Sequence, residues 1–261
     1  LPEAPLLLTS PTRISVRDAT EEIIAQTEEL SGYPVHVERD GSIGTSAVLK
    51  LPRGGMNANL IRFDPDKAPQ GPDYLVAYEC GFIMRIFQCP PDQRYQFAST
   101  DTGREEAENL LLETDFGRQN PELAREIRDQ VFDGLMTQLR SVPIGLRVER
   151  WIRRDYPSLH DQQEHEVRRE LKDSRPVLEG RVRKMFPKSI YTANVAMNAA
   201  YAEFWAQVLE EPPIRVPYKA TRHYKTGMKL LNLWVEIPDD PSEDRHLVDQ
   251  WAEVLGLQEW Y

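Results

Sequence analysis

One acid stands alone in an apolar stretch of this sequence. Tyr74–Phe87 (YLVAYECGFIMRIF) is hydrophobic on nearly every side and carries Glu79 as its sole carboxylate. A carboxylate in such surroundings is either a general base or a group that packing keeps protonated, or hydrogen-bonded to Tyr78, an arginine or the backbone. Without a metal to activate water the second role is expected, with a pKa raised by burial. The five histidines and two cysteines offer little to soft-metal chemistry. His160 and His165 lie about 140° apart on a helix and do not converge. His160 and Glu164 share a face, but their polar context reads as solvated. His36 alternates with Val35 and Val37, so it points outward or into a groove beside the apolar helix. His223 and His246 have no second ligand at a useful spacing, and Cys80 and Cys89 read as packing residues. Nucleophile elbows, Gly-rich phosphate loops and paired-cysteine metal motifs are missing from the sequence.

The elements that would position Glu79 can be read from capping and periodicity. Asp18-Ala-Thr-Glu21 forms a capping box before an amphipathic helix over 19–31 that stops at Gly32. Three β-rich runs follow, Tyr33–Glu38, Ser46–Leu51 and Ala58–Phe63, separated by Asp40-Gly41 and Gly54-Gly55 and expected to form a small meander. The apolar run over 74–87 then has to be a central, buried helix, having almost no polar face to give to water. Downstream the pattern is mainly helical: Gly103–Glu113, a helix from Asn120-Pro121 to about Arg140, and further helices near 144–154, 160–172, 190–209 and 243–255. Residues 213–237 are expected to supply one or two strands or a hairpin. Trp205, Trp234 and Trp251 read as core.

An acid in a buried helix after a helix and three strands is the arrangement of the minimal zincin core. There, His-Glu-x-x-His sets two imidazoles one turn apart for zinc and the glutamate polarises water. Ala77-Tyr78-Glu79-Cys80-Gly81-Phe82-Ile83 resembles the ImmA/IrrE-type metallopeptidase form of this motif, close to A-H-E-L-G-H-I, with Tyr78 and Phe82 in the two histidine positions. Glu105-Glu106-Ala107-Glu108-Asn109 resembles that family's E-x-E-A-N stretch, which matches Glu106 to the third zinc ligand. The resemblance spans about residues 15–116. It implies an α+β fold: a zincin-like core over 1–116, then a mainly helical domain over 117–261 packed on it. A neutral tyrosine is a poor zinc ligand and phenylalanine none. The site is therefore expected to be degenerate, with Tyr78, Glu79 and Phe82 as a cleft floor, Glu106 across from them, no bound zinc and no catalytic residue beyond a vestigial Glu79.

Composition bounds the function further. The formal charge of −10 opposes strong binding to nucleic acid or anionic membranes, and two cysteines rule out a disulfide scaffold. The longest apolar runs are too short to span a bilayer, and the opening LPEAPLLLTSP lacks the basic start of a signal peptide, so a cytoplasmic location is expected. Only residues 121–200 are net basic, by three charges. Their arginines, above all Arg147, Arg150, Arg153, Arg154, Arg168 and Arg169, are either a solvated helix face laced with acids or a docking face for an acidic partner. The expected function is a pseudo-metallopeptidase that binds a protein or peptide as a regulatory module, in the bacterial stress, mobile-element or phage-defence contexts the resemblance implies. The competing expectation is a hydrolase or metallopeptidase with a metal site rebuilt around Glu79 and Glu106.

Overall fold

The computed structural model describes residues 18–94 and 98–260. The opening LPEAPLLLTSP, from which the missing leader was inferred, lies outside them. Helix α1 (Asp18–Ser31) buries Thr20, Ile23, Thr27 and Ser31 along one stripe and ends at Gly32, whose φ of +73° is a left-handed helix stop. Strands β1 (Val35–Arg39), β2 (Ala47–Lys50) and β3 (Asn59–Phe63) form a sheet in the order β1-β3-β2. β3 runs parallel to β1 and antiparallel to β2. The expected meander would have put β2 in the centre. β3, in the centre, is the most buried of the three, with Asn59, Ile61 and Phe63 buried, whereas β1 and β2 are more exposed, as edges tolerate.

Helix α2 (Pro72–Gln88) is the expected central helix. It packs against α1, β2, β3 and a long helix, α5. Helices α3 (Asp101–Leu112) and α4 (Asp115–Gln119) lead into α5 (Pro121–Asp155), which continues unbroken through Pro143 where two helices were expected. A proline inside a helix removes one backbone bond. Burial on both sides of it, from Phe132 to Ile152, holds the helix together, and the Trp234 indole N–H donates to the Pro143 carbonyl at 3.1 Å. The remaining helices are α6 (His160–Ser174), α7 (Gly180–Met185), α8 (Lys188–Val208), α9 (Val216–Lys219), α10 (Tyr224–Glu236) and α11 (Asp244–Leu255). The strands expected over 213–237 are helices. Gly227, Leu230, Leu231 and Trp234 are buried at the i, i+3, i+4, i+7 spacing of one helix face.

The fold is mixed α and β, mostly helical, with one small sheet. One hydrophobic cluster gathers α1, the sheet and α2 with Val148 and Ile152 of α5; a larger one gathers the rest of α5 with α8, α10 and α11. Ala107 of α3 belongs to the larger cluster. α5 runs through both clusters, and Phe82 of α2 packs against both. Trp205, Trp234 and Trp251 are core.

Candidate functional site

Tyr74, Tyr78 and Phe82 recur every four residues along α2 and form one column of rings, 5.9 Å and 5.2 Å between successive centroids. The column lies against α5 at a point where two glycines let the helices approach. A Cβ added at Gly145 would sit 2.3 Å from the Tyr78 hydroxyl oxygen, and one at Gly81 would sit 2.4 Å from Val148 Cγ1. Gly81, part of the motif-like segment, is thus explained by helix packing.

Behind the rings lies a set of acids that sequence spacing could not reveal. The Tyr74 hydroxyl donates to Glu149 Oε1 at 2.5 Å, and Gln163 Nε2 donates to Glu149 Oε2 at 2.7 Å. From α8, the Tyr201 hydroxyl donates to Glu170 Oε2 of α6 at 2.8 Å. Desolvation pushes Glu149 up to about 8, even though its bonds from Tyr74 and Gln163 favour the carboxylate. Glu170 keeps solvent access, and desolvation raises it too. The hydroxyls of Tyr74, Tyr78 and Tyr201 are all held well above the usual phenol value, first by burial and then by these acids. Three tyrosines and three carboxylates, Glu79 included, form a cluster whose charged forms desolvation disfavours. Its members come from α2, α5, α6 and α8, as far apart in sequence as Tyr74 and Tyr201. No local signal marks them beyond acids placed in amphipathic helices.

Glu79 is half-buried, and desolvation pushes it up to about 7, the direction expected for it. Of the alternatives open to it, a hydrogen bond from Tyr78 or an arginine is not formed among the described residues. Glu106 lies elsewhere. Its carboxylate accepts from the Trp260 indole at 2.9 Å, on a helix that packs on α4, α5 and the C-terminal turn. Glu106 is therefore not across the cleft from Tyr78, Glu79 and Phe82. The donors at the positions matched to zinc ligands do not suit the ion: a phenol held protonated, a phenylalanine, and a carboxylate committed to a tryptophan. Among the described residues no group of three or more His, Cys, Asp and Glu side chains is placed to hold a metal. His36 is exposed, His160 bonds the Arg153 carbonyl at 2.8 Å, Glu164 pairs with Arg168, and His223 packs edge-on to Tyr191.

A groove of about 350 Å³ opens between β2, α2 and α5. Its apolar lining is Leu49, Leu51, Phe82, Ile86 and Ile144; its charged lining is Lys50, Arg53, Arg85 and Arg140. Phe82 is the only residue of the expected cleft floor that lines it. β2 is an edge strand. The Asp64 N–H bonds the Ser46 carbonyl, so Ser46, Val48 and Lys50 direct their backbone groups to β3. By the alternation of an antiparallel pair, Leu49 turns its N–H and C=O to the open edge beside the groove.

The arginines expected to form a docking face are mostly spent within the molecule. Arg147 is buried and bonds Asp244 at 2.7 Å and the Ile237 carbonyl at 3.0 Å. Arg85 of α2 grips the same Asp244 through two bonds, at 2.6 and 2.8 Å. Arg150 pairs with Asp239 and stacks on Trp234, Arg154 pairs with Asp155, Arg168 with Glu164 and Glu211, and Arg169 with Glu166. Arg153, half-buried, has no ion-pair partner among the described residues. Burial alone would raise Asp239, but the Arg150 bond and the charges of Arg85, Arg147 and Arg150 hold it below the usual carboxylate range.

Comparison with known proteins gives no match: no family model fits the chain, and neither a curated protein nor a solved structure is detectably similar to it. Among the described residues, no helix is long and apolar enough to cross a membrane.

Proposed function

We propose that this chain is a non-catalytic, cytoplasmic pseudo-metallopeptidase that binds an extended segment of another protein as a regulatory module. The setting is bacterial stress, mobile-element or phage-defence regulation, as the ImmA/IrrE resemblance implies. The groove beside the open edge of β2 carries the reading. An extended peptide laid along such an edge gains main-chain hydrogen bonds, here from Leu49, and its alternate side chains reach a pocket, here floored by Phe82 and Ile86. The charged lining is entirely basic on a chain of net charge −10. It favours a segment that alternates apolar with acidic residues.

Displayed libraries of short peptides, panned on the purified chain, test this. The expected outcome is enrichment of acidic-apolar sequences. Their binding weakens roughly tenfold or more in Leu49→Pro, which removes the outward N–H, and in Phe82→Ala. The selected peptides are expected to remain intact. Stoichiometric zinc lost on Glu79→Gln or Glu106→Gln would sink the proposal, as would peptide cleavage that stops in those variants.

A further inference from the structure

A second cavity, of about 830 Å³, is walled by α5, α7, α8 and the end of α6 with the turn after it. It shares no lining residue with the groove, and its volume falls in the range that encloses small organic ligands, about 300–1,000 Å³. Val131, Leu135, Val177, Met185, Phe186 and Ile190 give it apolar walls. Among the described residues its only charged lining residue is Asp173, and no lysine or arginine faces in.

The polar part of the lining is a closed ring of three side-chain amides. Gln138 donates to Asn198 at 2.7 Å, Asn198 to Asn194 at 3.0 Å, and Asn194 back to Gln138 at 2.8 Å. Each amide spends one N–H and one carbonyl lone pair on the ring and keeps one of each. All three are half-buried and line the cavity, so the unspent donors and acceptors are open to whatever enters it. The ring also fixes the three side chains before any ligand arrives, which lowers the ordering cost of binding.

We propose that this cavity is a binding site for an uncharged, flat, mostly apolar small molecule that presents a hydrogen-bond donor and acceptor side by side, as a lactam or primary amide does. The apolar walls take the body of the molecule, and the amide ring pairs with its polar edge. Anions are excluded, because desolvating a phosphate or carboxylate against these walls meets no compensating cation and one acid.

The test uses the full chain and two probes of this class, 2-quinolone and benzamide, titrated by calorimetry or ligand-observed NMR. At least one is expected to bind saturably at one site. N-Methyl-2-quinolone, which loses the donor, is expected to bind roughly tenfold more weakly than 2-quinolone, the worth of about one hydrogen bond. The anion 2-naphthoate is expected not to bind. Gln138→Leu, which opens the ring, and Val182→Trp, which fills the cavity from α7 and leaves the ring intact, are both expected to abolish binding with an unchanged circular-dichroism spectrum. Failure of both probes to saturate the folded chain overturns the proposal. So does equal binding of the N-methyl compound, or binding that survives Val182→Trp.

Discussion

Glu149 sets the sharpest expectation for a single residue. It is buried with two donors but, among the described residues, no cation, and its carboxyl rises to about 8 from an ordinary value of 4.5. Between those values the folded chain holds a proton that the unfolded chain has released. The contribution to stability is therefore complete below the unfolded pKa and is lost as pH rises through the folded one. Glu149→Gln keeps an acceptor for Tyr74 and removes the titration. Urea unfolding from about pH 5 to about pH 9 should show the wild type losing stability, and the variant losing less by a few kcal/mol, on the order of 1.4 kcal/mol per pKa unit. An unchanged pH slope would mean that Glu149 ionises normally. Glu79→Gln should flatten the same curve over a window that closes nearer pH 7. Of these two acids, only Glu79 was visible in the sequence, because its whole neighbourhood on the chain is apolar. Glu149 sits among arginines in Arg147–Arg154 and looks like any solvated acid until α2 and α6 cover it.

Helices α2 and α5 cross closely because Gly81 and Gly145 carry no side chains at the contact. Gly81→Ala would force its methyl group into Val148, and Gly145→Ala would displace the Tyr78 ring. Each should cost about 1–3 kcal/mol, the usual range for overpacking. Their effects should be non-additive, since one shift of α5 relieves both. Thermal unfolding of the two single variants and the double checks this; two silent substitutions would mean the helices do not approach this closely. The existence of both helices was legible from apolar periodicity. Their contact was not, and neither was the continuity of α5 through Pro143, because the local rule that ends a helix at proline was overridden by burial on both sides of it. The strand order went unread for a similar reason: spacing between runs suggests a hairpin series, whereas the strand that packs deepest against the helices takes the centre.

Across the whole molecule the two hydrophobic clusters are tied by one buried ion network. Asp244 of α11, fully buried, accepts from Arg85 of α2 and Arg147 of α5, and Asp239 adds to both. Removing one partner strands buried charge, so Asp244→Ala should destabilise the chain by about 3–5 kcal/mol. Glu211→Ala, which breaks an exposed pair with Arg168, should cost no more than about 1 kcal/mol. Denaturant unfolding of the two variants separates these cases, and equal losses would show that the Asp244 network is not the tie between the halves. The same network explains why the basic segment over 121–200 is no free docking face. Its charge is largely answered by acids from α6, the stretch after α8, and the C-terminal region.

By itself the sequence determined which segments are helices in most of the chain, and that the helix around Glu79 is buried. These are local properties, carried by residue type and by periods of a few positions. Tertiary structure alone decided that Glu106 turns to Trp260, that Arg147 serves Asp244, that Glu149 and Glu170 join the tyrosines, and that three amides close a ring over a cavity. Those outcomes link residues such as Tyr74 and Glu149, seventy-five positions apart. A polar side chain's partner is set by which faces the core brings together, and spacing along the chain does not encode it.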